Sequence, residues 1–205
     1  MSGTENFYDD LFACYHHAWE LIEDGVDNRS SAFHTPVVNT LDGEGYPSGR
    51  VVVLRHADRH ERNLRFHSDW RGRKIAEISN NPKGSMVFYS AALKIQIRCF
   101  VHFIVHHHND ITQKAWSKTR PFSRACYTAN PAPGTVLEEP HSGLPSDLPA
   151  TGPDEILSAQ IYSNFSVIEG VIQKMEWLYL ASSGHRRAIF SWNEQSVMNA
   201  QWVIP

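Results

Sequence analysis

The 205-residue chain is expected to be mainly β, a closed or nearly closed antiparallel barrel with a few peripheral helices. Three observations predict this. Strand-like runs outnumber helical ones, and the longer strands follow one another in hairpin order. Residues 93–105, LKIQIRCFVHFIV, also alternate strictly: Leu93, Ile95, Ile97, Cys99, Val101 and Phe103 share one face, Lys94, Gln96, Arg98, Phe100 and His102 the other. With 41% hydrophobic and 20% charged residues, residues 1–205 are expected to form a single domain with a substantial core.

The elements follow in order. Residues 5–24 place Phe7, Leu11, Cys14 or Tyr15, Ala18, Leu21 and Ile22 at spacings of three and four, an amphipathic helix ended by Gly25. Residues 32–41 read as the first strand, and Asp42-Gly43-Glu44-Gly45 as the turn into a second strand carrying Arg50. Val51, Val52, Val53 and Leu54 have the composition of a buried strand, and residues 56–63 that of a polar turn. Leu64 and Phe66 resume the sheet. A helix over 72–80 stops at Asn80-Asn81-Pro82. Strands at 85–90 and 93–105 come next, then a short helix at 109–118 capped by Asn109 or Asp110. Residues 129–154 hold six of the eleven prolines and predict an extended loop or a partly disordered segment, lying over the pocket rim or a neighbouring subunit. A short helix at 155–163, a strand at 165–180 irregular at Gly170, and strands at 185–192 and 199–205 finish the chain.

Several functions are argued against. A formal charge of −3 does not suit general nucleic-acid binding. Cys14, Cys99 and Cys126 are odd in number and widely spaced, which indicates neither a disulfide framework nor a metal site. His106, His107 and His108 are consecutive on extended chain and point to different sides, so no metal site is expected there. No run approaches the ~18 apolar residues of a membrane span, and the acidic start MSGTENFYDD is unlike a signal peptide. The expectation is a cytoplasmic protein with no membrane partner.

The chemistry concentrates between Arg50 and Lys74. Arg71, Arg73 and Lys74 stand where a helix begins, and cations beside free backbone N–H groups make a phosphate seat. Alternation puts Arg50 and Arg55 on opposite faces, so both reach one ligand only if the strand bends or the ligand lies across its end.

The order of these residues resembles the FMN-binding segment of the pyridoxamine 5′-phosphate oxidase family, roughly R-x-V-L-L-K, a turn, then F-Y-T-N-x-x-S-R-K. The matching pieces are Arg50-Val51-Val52-Val53-Leu54-Arg55 and Phe66-His67-Ser68-Asp69-Trp70-Arg71-Gly72-Arg73-Lys74. The family continues with a helix, N-P, a strand ending in aromatics and a strand carrying R-Q-V. This chain has residues 75–81, Pro82, MVFYS at 86–90 and Ile95-Gln96-Ile97-Arg98. Such agreement over ~80 residues is a specific signal.

The resemblance implies an FMN-binding split barrel, a homodimer with FMN at its interface, and two-electron chemistry through the flavin. It assigns the cofactor to Arg50, Val51, Val52, Val53, Leu54, Arg55, His67, Ser68, Arg73, Lys74 and Gln96. Of these, Arg50, Arg55, Arg73 and Lys74 would bind the phosphate or ring edge, with Ser68 and Gln96 as hydrogen-bond partners. The substrate side departs from the family. Its Y-F-x-S-R-P-R-x-S-Q segment falls near Trp116, Arg120, Ser123 and Arg124 without the Ser-Gln pair. Its R-L-H triplet reads Arg186-Arg187-Ala188, and its final Arg falls near Phe190. Arg120, Arg124 and Arg186 are therefore the candidate contacts to an anionic substrate, and no catalytic acid or base stands out. The chain looks closer to the uncharacterised FMN-binding relatives than to the oxidase, and is expected to be inefficient on the oxidase's own substrate. A second reading stays open at this point: a flavin- or haem-binding carrier or sensor on the same scaffold, without turnover.

Overall fold

A computed structural model describes residues 7–205. The expected helix start at residues 5 and 6 lies outside them. Phe7–Asp9 form a 3-10 turn, and Asp10 then caps α1 (Leu11–Asp27) by accepting from the Ala13 N–H at 2.7 Å. The helix runs past its expected end. Gly25 is inside it, where a Cβ would lie 2.6 Å from the Phe33 carbonyl oxygen, so the glycine marks a close approach and not a stop.

Nine strands follow: β1 (Val37–Leu41), β2 (Pro47–Val51), β3 (Leu54–Asp58), β4 (Asn63–Asp69), β5 (Lys83–Ser90), β6 (Ile95–His106), β7 (Phe165–Tyr179), β8 (Arg186–Trp192) and β9 (Met198–Val203). All pair antiparallel in the order β2-β1-β5-β6-β7-β4-β3, with β8 on β7 and β9 on β8. The mainly β class is as expected, but the barrel is not closed. Its two end strands, β2 and β3, are consecutive in the chain and separated only by Val52 and Val53. The apolar run expected to be one buried strand is thus a break: Val51 is 65% exposed, Val52 and Val53 are half-buried, and only Leu54 enters the core. Backbone bonds from Val52 to Pro36 (3.0 Å) and Leu54 to His34 (2.9 Å) hold the bend. The polar turn is also shorter than expected, because β3 continues through His56, Ala57 and Asp58.

β7 organises the sheet. β4 pairs with it up to Val171, and β8 takes the same role from Lys174 to Tyr179. The register on its β6 side shifts between those two points, where Phe100 faces Lys174 and Val101 faces Ile172, leaving Gln173 extra. The irregularity is there and not at Gly170, which stays in register. A side chain at Gly170 would press on Phe103 and Val101 at 3.2–3.3 Å.

Trp19, Phe66, Phe88, Phe103, Trp177 and Phe190 fill the main core beneath α1, each worth up to ~3 kcal/mol of buried apolar surface. A smaller cluster of Tyr127, Ile161, Phe165 and Val167 anchors two further helices near the start of β7. These are α3 (Asp110–Lys118), with a capping box between Asn109 and Thr112, and α5 (Glu155–Ile161). The remaining helices are α2 (Arg73–Asn80) and the single turn α4 (Pro121–Arg124). Residues 129–154 carry neither helix nor strand, and Gly134 in that loop lies alongside the Cγ and Cδ of Arg73.

Candidate cofactor and substrate site

β4 delivers Ser68 and Asp69 to a tight turn, and Gly72 then caps α2 with no side-chain hydrogen bond. The first N–H groups of α2 therefore stay open. Lys74 reaches back from the first turn, and its Nζ donates to the Ser68 Oγ at 2.9 Å. Among the described residues this hydroxyl is its one side-chain partner. Burial, and then the neighbouring charge of Arg50, pull the Lys74 ammonium below the ordinary lysine range against the opposing pull of Asp69 and Glu77. Arg73 is exposed and, among the described residues, without an ion-pair partner. Arg71, which the sequence placed with them, instead folds onto Asp69, with Nε to Oδ1 at 3.0 Å and Nη2 to Oδ2 at 2.7 Å. Arg50 pairs with the Glu77 carboxylate at 2.6 Å, donates to Ser48 at 2.7 Å, and also donates to Thr40. A half-buried ammonium answered by a hydroxyl, beside an uncapped helix start and an unpaired guanidinium, fits the phosphate of FMN.

A cavity of about 710 Å³ opens on the other side of β4. Arg55 and His56 both line it although they are adjacent in the chain. The register of β3 against β4 shifts between Leu54 and His56, and such a bulge turns neighbouring side chains to one side. His67 joins them, packed edge-on to Phe165 at 4.8 Å. Burial, and then the charge of Arg55, push its imidazole down to about 4, so it is neutral at pH 7. Arg120 and Ser123 enter from the start of α4. Sequence reasoning missed Arg29, Arg65, Lys114 and Lys118 in this wall. Only the pair on α3 left a trace, since Lys114 and Lys118 are spaced to share one helix face. Ser68 and His67 are successive in β4 and face opposite sides, so one ligand touches both only across the strand's end.

The other expected contacts are elsewhere. Leu54 is fully buried, which leaves only its backbone for a ligand. Gln96 pairs with Leu178 near the far end of β7 from Ser166, the partner of Ser68. It lines a small recess with Arg98, Glu176, His185 and Arg187. Arg124 lies over the Trp116 ring at 4.8 Å and donates to the Trp116 carbonyl at 2.8 Å. Arg186 pairs with Asp9 at the surface. Of Arg120, Arg124 and Arg186, only Arg120 reaches the cavity. Ala188 and Phe190, where the oxidase pattern has His and Arg, are fully buried in the core.

Among the described residues no helix is long and apolar enough to cross a membrane. Residues 16–106 match the family model of the pyridoxamine 5′-phosphate oxidase FMN-binding domain. Pyridoxine/pyridoxamine 5′-phosphate oxidases of Burkholderia mallei and Paraburkholderia phytofirmans are 32% and 33% identical over 76 residues, which are 37% of this chain. The match spans about a third (35%) of the length of those relatives. An FMN-binding protein of Nostoc punctiforme, related to pyridoxamine 5′-phosphate oxidase, superposes over 93% of this chain and 97% of its own, with TM-score 0.72 and 19% identity. PhzG of Burkholderia lata, solved with tetrahydrophenazine-1-carboxylic acid, covers 97% of this chain and 96% of its own, with TM-score 0.70 and 16% identity. At these identities the two structures establish the fold. Residues 16–106 are thus similar to the FMN-binding domain of the pyridoxamine 5′-phosphate oxidase family, and the chain as a whole has the antiparallel split-barrel fold of these structures.

Proposed function

We propose that the protein is an FMN-dependent oxidoreductase that moves two electrons to or from a small anionic molecule. The observation that carries this is the unbalanced pair Lys74 and Arg73 inside the FMN-family segment, one strand's width from a cationic cavity. Lys74, Arg73 and Ser68 would hold the cofactor phosphate, with Arg50 steering it from its pairing with Glu77. Bound there, FMN supplies a ring that exchanges an electron pair with the substrate. Arg55 and Arg120 would hold the anionic group of that substrate. Neutral His67 would accept or return a proton at its ring nitrogen.

Gln96 is too far along β7 to join Ser68 within one chain. A homodimer in which a second copy presents Gln96 accounts for its place in the family pattern. Light scattering of the flavin-loaded protein should then give about twice 23.3 kDa. Pyridoxamine 5′-phosphate is a poor fit, because the family's substrate-side His and Arg positions are core here. Losing several positioned hydrogen-bonding groups lowers kcat/KM by orders of magnitude.

The test is the visible spectrum of the purified protein, followed during additions of small phosphates and carboxylates and then of air. Flavin absorption that bleaches with one such compound and returns with oxygen supports the proposal. Bound flavin that no anionic compound bleaches makes the protein a carrier.

A further inference from the structure

We infer that the cavity is shaped for a small ligand bearing two separated anionic groups, such as a phosphate and a carboxylate on one short carbon chain. Its role as substrate rests on the flavoprotein reading above, whereas its binding does not. Five cations line the cavity without an ion-pair partner among the described residues: Arg29, Arg55, Lys114, Lys118 and Arg120. Arg65 is excluded because Glu169 holds it, and Asp27 is the one carboxylate in the wall. A single phosphate carries at most about two charges at neutral pH and cannot balance this set.

The cations also come from separate supports. Arg55 is fixed by the β3 bulge, and Arg120 stands at the entry of α4. Lys114 and Lys118 stand one turn apart on α3, about 6 Å along its axis, with Ile111 and Ala115 of the same face also in the wall. Two like charges at that spacing disfavour the helix in isolation. An anion lying between them reverses the sign. The wall thus offers one anion position at Arg55 and Arg120 and a second along α3.

Isothermal titration of the protein after incubation with FMN, using glycerol 3-phosphate and 3-phosphoglycerate, which adds a carboxylate, tests this. The second compound should bind at least tenfold tighter. Lys114→Gln with Lys118→Gln should cut that ratio below threefold while leaving glycerol 3-phosphate within threefold of its original affinity. Lys83→Gln, which removes an exposed cation of β5 outside the cavity, should leave the ratio alone. Equal affinities, no binding of either compound, a ratio that survives the double substitution, or an equal fall in Lys83→Gln would each overturn the inference. Flavin absorbance of the same sample separates the two ideas. A protein without bound flavin that keeps the preference defeats the oxidoreductase reading and leaves the two-anion cavity standing.

Discussion

Arg98, Lys174 and Arg187 converge on one buried carboxylate, Glu176, whereas Lys74 and Arg73 face a hydroxyl and an uncapped helix. Glu176 is 5% exposed at its side chain, with Lys174 at 3.0 Å, Arg187 at 2.9 Å and Arg98 also in contact. Burial alone would raise its pKa, but the three cations outweigh burial and hold the carboxyl at about 2. Every cation of that cluster has a carboxylate contact, although the single carboxylate leaves a net charge of +2. Around Lys74 the carboxylates are already engaged, Asp69 by Arg71 and Glu77 by Arg50, so an anion is still wanted. The number of cations is thus a poor mark of a binding site, and whether each has a carboxylate partner is a better one.

The sharpest way to break this comparison is Arg73→Ala with Lys74→Ala. Each charge-assisted phosphate contact is worth ~1.5–3 kcal/mol, so FMN affinity should fall by at least tenfold and on the order of a hundredfold. Fluorescence titration reads the change, and an unchanged curve would mean that the phosphate sits elsewhere. Glu176→Gln is the converse. Three cations would lose their shared carboxylate, at a cost of ~3 kcal/mol in denaturant-induced unfolding. Unchanged stability with tighter FMN binding would make the Glu176 recess an anion site as well.

Acid should separate the same regions. His67 has a folded value of about 4, below the ordinary 6.5 of an unfolded chain. The unfolded state binds the extra proton, so stability falls as pH drops from 6.5 towards 4, by on the order of 3 kcal/mol. Glu176, held at about 2 against an ordinary 4.5, contributes stability above pH 4.5 that is lost only between 4.5 and 2. His67→Gln should reduce the first slope, to which His17, His56 and His106, also lowered by burial, contribute as well, and Glu176→Gln the second. Measuring the unfolding midpoint across pH 3–7 checks both, and one shared slope would show that the groups are not titrating independently.

Most of the strand order was legible because alternation is a local property. β6 shows it plainly: Ile95, Ile97, Cys99, Val101 and Phe103 are all buried as their parity requires. The break after Val51 was not legible, since three valines signal a strand whether or not the backbone bends between them. The β3 bulge has the same standing: nothing in Arg55-His56 reveals that both side chains leave the sheet together. For the site, Ser68, Arg73 and Lys74 came from a local motif, and the structure keeps them together. Arg71 and Arg50 came from it too, but whether a cation is satisfied depends on carboxylates that only folding brings near. Glu77 could have been suspected, because it follows Lys74 by one helical turn. Glu176 could not, being 78 residues from Arg98 in sequence.

The smallest expected effect is also the most discriminating, because Arg71 and Arg73 are two residues apart and chemically identical. By charge count, Arg71→Gln should weaken FMN binding as much as Arg73→Ala. The geometry says otherwise. Arg71 makes its two side-chain contacts with Asp69, and the Asp69 Oδ1 also accepts from the Arg71 N–H at 2.9 Å, so its positive end is held on that carboxylate. A partly exposed pair of this kind is worth ~0–1 kcal/mol to stability. Removing the guanidinium also frees a carboxylate near Lys74, which favours the charged ammonium but adds slight repulsion to an incoming phosphate. These effects oppose one another, so FMN affinity should move by less than about threefold. Side-by-side flavin titration of Arg71→Gln and Arg73→Gln decides the matter. Equal losses would return the site to simple charge counting and remove the distinction between paired and unpaired cations on which the contrast with Glu176 rests.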